Sequence, residues 1–384
     1  MEYTTIGKSC SLVSGGTPSR SKDEYWRNGT IPWIKIGNIK SKYVNGYDEL
    51  ITEQGLNNSS AKLLKKGTIL YTIFATLGEV GILDIEACTN QAIVGISIND
   101  SRITTDYLYY YLKSKKEYVN SIGRGVAQNN INLTTLKEFE IPLIDVDKQL
   151  NIVKSLEKTE KIIDLKKNEI DDLDLLIKAR FVEMFGDENN SKCWDIIHVE
   201  DVADVQVGVV IKPAQYYTNE CKGIKAFRSL NIGEGYIKNS DWVYFSEDGN
   251  KKNNKSILKE NDILIVRSGA PGTSCVVTKE YEGCNAIDII IARPNCEKIN
   301  PYYLCTFTNM PHGKKQIVEG TGGAAQQHFN VGKYNKLQLM LPPKDLQFKF
   351  EQFLKQVDKS KLAVQKSLEK TQQLFDSLMQ EYFG

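Results

Sequence analysis

The sequence has almost no excess charge of either sign: 49 Lys and Arg stand against 48 Asp and Glu, a formal net charge of +1. A protein that grips nucleic acid by itself carries a clear basic excess. Either DNA is not the partner, or another subunit supplies most of the positive field. Histidine is scarce, at three residues, and the eight cysteines include no CxxC pair, so zinc-site spacing is absent. The thiols read as free and mostly buried, in a reducing compartment. No apolar run approaches the roughly 20 residues of a membrane helix, and the opening MEYTTIGKSC lacks the regions of a signal peptide; a cytoplasmic location is expected. Hydrophobic residues at 41% and charged residues at 25% exclude disordered and collagen-like classes. At roughly 150 residues per domain, 384 residues make two or three domains with real cores.

What the sequence does contain is a duplication. Positions 125–186 match positions 323–384 at 13 of 62 places with no gap, where average composition gives about 4. GVAQNNIN at 125–132 faces GAAQQHFN at 323–330, and Phe185-Gly186 returns as Phe383-Gly384. Leu143, Gln149, Leu156, Leu176 and Glu183 recur as Leu341, Gln347, Leu354, Leu374 and Glu381. Upstream the offset drifts by a few residues, as loops allow; Lys35 faces Arg228 and Asn38 faces Asn231. The chain thus divides into two globular units, 1–145 and 187–345, each followed by a helical unit, 146–186 and 346–384.

The helical units show seven-residue spacing. Leu156, Ile163, Ile170, Ile177 and Met184 map onto Leu354, Lys361, Leu368, Phe375 and Tyr382. Such spacing keeps one seam on one side of a helix, the pattern of a coiled coil. A helix from about Lys148 to Phe185 would be roughly 57 Å long. A half-charged helix with one apolar stripe needs a partner stripe, and the other copy is the obvious one. The pair can run parallel or antiparallel; the antiparallel form, which would put the globular units at opposite ends of a rigid spacer, is the expectation. Lys361 interrupts the seam, marking looser packing or a snorkelling side chain. The outer face is open to a further partner.

The globular units read as short strands with turn punctuation, such as IPWIKIGNI and AIVGISIN in the first copy and DILIVRSGAPG and AIDIIIARP in the second. Short helices are expected over Thr105–Lys116 and Pro301–Asn309. The fold class is α+β, with a twisted, mostly antiparallel sheet in each unit. No catalytic constellation emerges. There is no P-loop, no GxSxG elbow and no histidine beside a plausible nucleophile. Asn300-Pro301-Tyr302-Tyr303 resembles a methyltransferase base clamp only superficially and aligns with a helix start.

Two strand-rich units, opening with VSGGTPSR (13–20) and QVGVVIKP (206–213), each end in a G-x-A-Q segment. An apolar-proline stretch with a following glutamine comes next, IPLIDVDKQ (141–149) and LMLPPKDLQ (339–347), and then a long helix. In this duplicated order the chain resembles the specificity subunit of type I restriction–modification systems along nearly its whole length. The resemblance implies two target-recognition domains, each reading one half of a split, asymmetric DNA site, with the paired helices setting the gap. It implies a non-catalytic subunit that directs adenine methylation and restriction by its partners. Those partners are two modification (methyltransferase) subunits, which bind S-adenosylmethionine, and restriction subunits, which hydrolyse ATP, translocate and cut. The chain itself would need no cofactor.

Arg or Lys suits guanine and Asn or Gln suits adenine in the major groove. On that basis the reading side chains expected in the first domain are Arg20, Lys35, Arg124, Gln128 and Asn129. In the second they are Lys212, Arg228, Arg267, Gln326 and Gln327. An amide kept in both copies, as Gln128 and Gln326 are, better suits a local backbone or phosphate bond, and Lys35 and Arg228 equally suit a solvated surface. A rival reading from a different class is a protein-interaction scaffold with two binding domains on a helical spacer.

Overall fold

The computed structural model describes residues 2–123, 130–219, 222–321 and 329–384. It resolves into two compact units, residues 1–167 with 366–384, and residues 168–365.

In the first unit, strands β1 (Glu2–Thr5), β2 (Cys10–Ser14), β3 (Ile31–Ile34), β4 (Tyr43–Val44), β5 (Glu49–Ile51), β6 (Ile69–Thr72), β7 (Val80–Leu83), β8 (Cys88–Thr89), β9 (Ile93–Ile98) and β10 (Glu140–Leu143) alternate with short turns. They form a five-stranded sheet of order β2-β9-β6-β7-β4, a three-stranded sheet β5-β3-β8 and a ribbon β1-β10. The single mostly antiparallel sheet expected from the sequence is therefore divided. The pairings are largely antiparallel, but β3–β8 and β4–β7 are parallel. The central strand β6 is buried at every position, which explains its continuous apolar run rather than an alternating one. The helix Thr105–Ser114 lays Tyr107, Tyr110, Tyr111 and Leu112 into the core beneath β6 and β9.

The second unit repeats this order with β11 (Asp195–His198), β12 (Ala203–Val207), β13 (Tyr217–Thr218), β14 (Ile224–Phe227), β15 (Val243–Phe245), β16 (Ile263–Val266), β17 (Ser274–Val276), β18 (Asn285–Ala286), β19 (Ile289–Pro294) and β20 (Gln338–Leu341). Sheets β12-β19-β16-β17 and β13-β15-β14-β18 and the ribbon β11-β20 match those of the first unit strand for strand, apart from β4 and β13. The helix Pro301–Asn309 takes the place of the tyrosine-rich one. Asn300 caps it, its Oδ1 accepting from the backbone N–H groups of Tyr302 and Tyr303, so the clamp-like Asn-Pro-Tyr-Tyr is a helix start. Of the described cysteines, Cys10, Cys88, Cys275, Cys284 and Cys305 are buried and Cys193 and Cys296 exposed, all free. No helix among the described residues is long and apolar enough to cross a membrane.

Two 40-residue helices, Val146–Phe185 and Lys344–Phe383, follow the strand-rich segments. Within the first unit, Leu156 and Ile163 share a core with Phe375, Met379 and Phe383, and Leu368 and Tyr382 pack at its margin. Lys166 Nζ donates to Ser367 Oγ at 2.6 Å. Within the second unit, the Phe181 and Phe185 rings meet Phe350 at 5.5 and 5.3 Å. Met184 and Leu354 are buried there, and Ile177 packs against the same core. Position numbers fall along one helix as they rise along the other, so the helices pair antiparallel. Lys361, the seam's charged member, is 20% exposed and reaches Asp174 at 2.6 Å. Ile170 is half-buried.

Two repeated details fasten helix to sheet. Gln149 is fully buried; its Oε1 accepts from Thr104 N at 3.0 Å and its Nε2 donates to the carbonyls of Arg102 and Ile144. Gln347, also fully buried, accepts from Asn300 N at 2.8 Å and donates to the Pro342 carbonyl at 2.7 Å. A buried amide without partners is costly, so these residues lock each long helix to the start of the short helix above it. Gly186 ends the first long helix with φ +90°, its N–H bonded to Val182 O, the left-handed cap that favours glycine.

Candidate nucleic-acid interface

In the first unit the turn after β2 is pressed against the sheet. Gly15 N donates to Ile93 O and Gly16 N to Thr89 O, and a Cβ on either glycine would collide with backbone, that of Asn90 or Ala61. The turn delivers Arg20 onto two tryptophans brought together by β3 and the preceding turn. The guanidinium lies 3.6 Å from the Trp26 ring centroid and 4.9 Å from that of Trp33, a cation–π placement. Trp33 is anchored through Nε1 to the Gly16 carbonyl at 2.9 Å.

Glu49 joins this cation to the next one. It pairs with Arg20 and with Lys35 Nζ at 2.6 Å, and Asp48 stands 3.7 Å from the same amine. The Arg20 hydrogen bond, followed by that of Lys35, holds the Glu49 carboxyl below its ordinary range, and the Glu49 bond raises Lys35. Both expected first-domain cations that fall on described residues are thus side by side and clamped by one carboxylate.

The second unit places its cations differently. Gly208 N and Val209 N donate to Ile289 O and Ala286 O at 2.9 and 2.8 Å, fixing the turn after β12 as in the first unit. Lys212 at its end is exposed and left-handed, with φ +43°. Arg228 occupies the register of Lys35: each backbone N–H is held at 2.9 Å by an asparagine Oδ1, that of Asn231 or Asn38. The Arg228 guanidinium donates through Nη2 to the Asp241 carbonyl, and its buried Nε has no partner among the described residues. Arg267 is turned inward, 15% exposed, with Nη1 2.5 Å from Asp288 and Nε donating to the Phe329 carbonyl at 3.1 Å. It braces the site instead of presenting a free edge. Arg124, Gln128, Asn129, Gln326 and Gln327 lie outside the described residues. Just after those stretches, Asn130 forms a bridge with Phe74, and Phe329 N donates to Arg267 O at 3.2 Å.

Sequence reasoning missed several groups here. Lys251, Lys252 and Lys255, on and just after the helix Glu247–Lys252, are exposed and have no ion pair among the described residues; the run KKNNK was their signal. Lys225 Nζ stands 5.0 Å from the Trp242 centroid and 5.4 Å from that of Tyr281, a cation on aromatics like Arg20. Glu49 was missed because a carboxylate clamping two cations has no sequence signature. Among the described residues no three His, Cys, Asp or Glu side chains converge to hold a metal ion.

Each unit also bears a cleft between sheet and long helices, of about 460 Å³ in the first, lined by Lys42, Tyr109, Lys113, Glu160 and Phe375, and about 440 Å³ in the second, lined by Tyr236, Cys305, Asn309, Asp358 and Ile177. Tyr109, Lys113, Glu160 and Phe375 of the first lining face Cys305, Asn309, Asp358 and Ile177 of the second under the repeat, so the clefts are a feature of the framework.

A family model, the type I restriction modification DNA specificity domain, matches the chain twice, over residues 1–175 and 192–374. The chain belongs to this family. It is a specificity subunit, the subunit that determines DNA sequence specificity in type I systems, with two recognition domains and long helices. The specificity subunit of type I restriction enzyme MjaIX from Methanocaldococcus jannaschii is 25% identical over 393 residues, 96% of this chain and 89% of that one. The specificity subunit of EcoR124I/EcoR124II from Escherichia coli is 27% identical over 164 residues, 41% of this chain and 40% of that one. Among solved structures, the type I restriction–modification S subunit from M. genitalium aligns with a TM-score of 0.56 at 16% identity, covering 100% of this chain and 96% of the other. A chain from work on complex assembly and conformational transition of the type I system aligns at 0.64, also at 16% identity, covering 100% and 97%. At that identity the likeness is one of fold.

Proposed function

We propose that this subunit recognises a bipartite, asymmetric DNA site, one half with each strand-rich domain, and directs adenine methylation and restriction carried out by partner subunits. The observation that carries the reading is internal. The two units share one framework, apart from β4 and β13, but mount different side chains at equivalent places: Lys35 against Arg228, and the clamping Glu49 where the second unit has Val243. A common frame with different presenting groups suits two readings of one kind of ligand.

The balanced charge also suits a shared task. Phosphate contacts position a complex and base contacts specify, so modification subunits can bring the positive field while this chain brings the base-reading groups. Leu150 and Leu176 on the first long helix recur as Phe348 and Leu374 on the second, and all four are exposed; apolar positions exposed twice at equivalent places suit two copies of one partner, the modification subunit. In this reading S-adenosylmethionine and ATP bind the modification and restriction subunits, this chain carries no catalytic group, and the complex works in the cytoplasm where the DNA lies. Half-sites about one helical turn apart, roughly 34–36 Å, would fall on one DNA face. The test is methylome sequencing of the host with and without the gene: loss of one bipartite methyl-adenine motif is expected, and an unchanged methylome overturns the reading.

A further inference from the structure

The two copies differ sharply at the turn after their second strand. In the second unit this turn ends in an apolar tip: Ile211 is 78% exposed, more than any other large hydrophobic side chain described, and Val210 beside it is 50% exposed. The tip is held firmly. Its root is bonded to Ile289 and Ala286, Val209 bridges Ile287, and Asp288 N donates back to Val209 O at 3.1 Å. On its other side the left-handed Lys212 precedes Pro213, which opens a tight helical turn. A non-glycine residue keeps such a backbone only where its surroundings impose it. In the first unit the corresponding stretch reads Gly16-Thr17-Pro18-Ser19-Arg20. Thr17 there is bonded to Gln91, and no large hydrophobic side chain protrudes.

Two exposed apolar positions on the long helices, Leu150 and Leu176, recur as Phe348 and Leu374 and suit a partner met twice. Val210 and Ile211 occur in one copy only, and suit whatever differs between the two halves. On the function proposed above, on which this inference rests, that is the DNA sequence.

We propose that Val210 and Ile211 form a specificity-determining tip that packs against thymine 5-methyl groups in the major groove of the half-site read by the second domain. Thymine alone presents a methyl group there. The surrounding charge fits: Lys212 adjoins the tip, and the helix carrying Lys251 and Lys252 is tied to the same turn through Ser246 N to Tyr216 O at 2.8 Å. These exposed lysines suit the flanking phosphates.

The experiment uses the full-length chain in complex with its modification subunits, on duplexes in which each thymine of both half-sites is replaced singly by uracil, which pairs identically but lacks the methyl. Uracil at one or two positions of a single half-site is expected to lower methylation kcat/KM about 4-fold, the worth of one buried methyl group. Ile211→Ala is expected to lower it by a similar factor on unmodified DNA and to lose the response to uracil at those positions alone, while Ile211→Leu keeps it. If the complex methylates a bipartite site but no uracil matters, or Ile211→Ala keeps the full uracil response, the tip is not a thymine reader although the DNA-reading function stands. If Ile211→Ala no longer co-purifies with the modification subunits, the tip is a protein-docking surface and the proposal falls. If no bipartite site is methylated at all, the function itself fails and the tip assignment with it.

Discussion

In the first unit the Phe383 ring packs 5.2 Å from Tyr107 and 6.2 Å from Tyr111; in the second, Phe185 packs 4.7 Å from Tyr303 and 5.3 Å from Phe350. These are equivalent positions with equivalent roles, and the buried pair Gln149 and Gln347 is closer still. The turns after β2 and β12 present the opposite picture. One presents a stacked, carboxylate-clamped arginine, the other an apolar tip beside exposed lysines. The joint of helix and sheet tolerates little because it is buried and its polar groups must all be matched, whereas a solvent-facing turn anchored at its root can carry almost any side chain.

That contrast can be broken most forcefully at the aromatic joints. Phe185→Ala and Phe383→Ala each remove a buried ring and should destabilise by about 3–5 kcal/mol, followed by chemical denaturation. Hydrogen exchange should place the loss in residues 168–365 for Phe185→Ala, and in residues 1–167 and 366–384 for Phe383→Ala. If only one of the two matters, the joints are not equivalent. Next in size, Gln149→Leu and Gln347→Leu strand buried backbone groups and should cost about 1–3 kcal/mol each, read as shifts of the denaturation midpoint of similar size in the two variants.

The smallest effect tests the clamp on Arg20 and Lys35. Glu49→Gln removes the clamp on Arg20 and Lys35 and should raise the DNA affinity of the assembled complex a few-fold and steepen its salt dependence by about one phosphate contact. Val243, its counterpart, clamps nothing, so Val243→Gln should leave affinity unchanged. Because Glu49 is held below its ordinary range, the clamp is complete above the unfolded carboxylate pKa. It is lost only as pH falls through the lowered value, so neutral and mildly acidic buffers should give the same difference between Glu49→Gln and the parent chain.

Much of the frame was legible because it is periodic or repeated. A helix expected from about Lys148 spans Val146–Phe185, the tyrosine-rich helix stops at Ser114 rather than Lys116, and Pro301–Asn309 has the expected bounds. The division into two sheets was not legible. Strands as short as Cys88–Thr89 carry no periodic signal, and parallel pairing of β3 with β8 joins segments far apart in sequence. At the site, the equivalence of Lys35 and Arg228 followed from the duplication. The occupation of Arg20 and Lys35 by Glu49, and of Arg267 by Asp288, depended on partners brought across from other strands and turns.

By itself, then, the sequence determined that one unit of strands and helix occurs twice, with seven-residue seams on both helices and no charge excess to hold DNA unaided. These are local or repeated properties, written in spacing and count. Tertiary structure decided that the helices run antiparallel, that Arg267 is an internal brace, that Glu49 restrains two cations, and that Ile211 stands in solvent. Each depends on which distant residue comes within a few ångströms, and that is set by strand pairing and core packing.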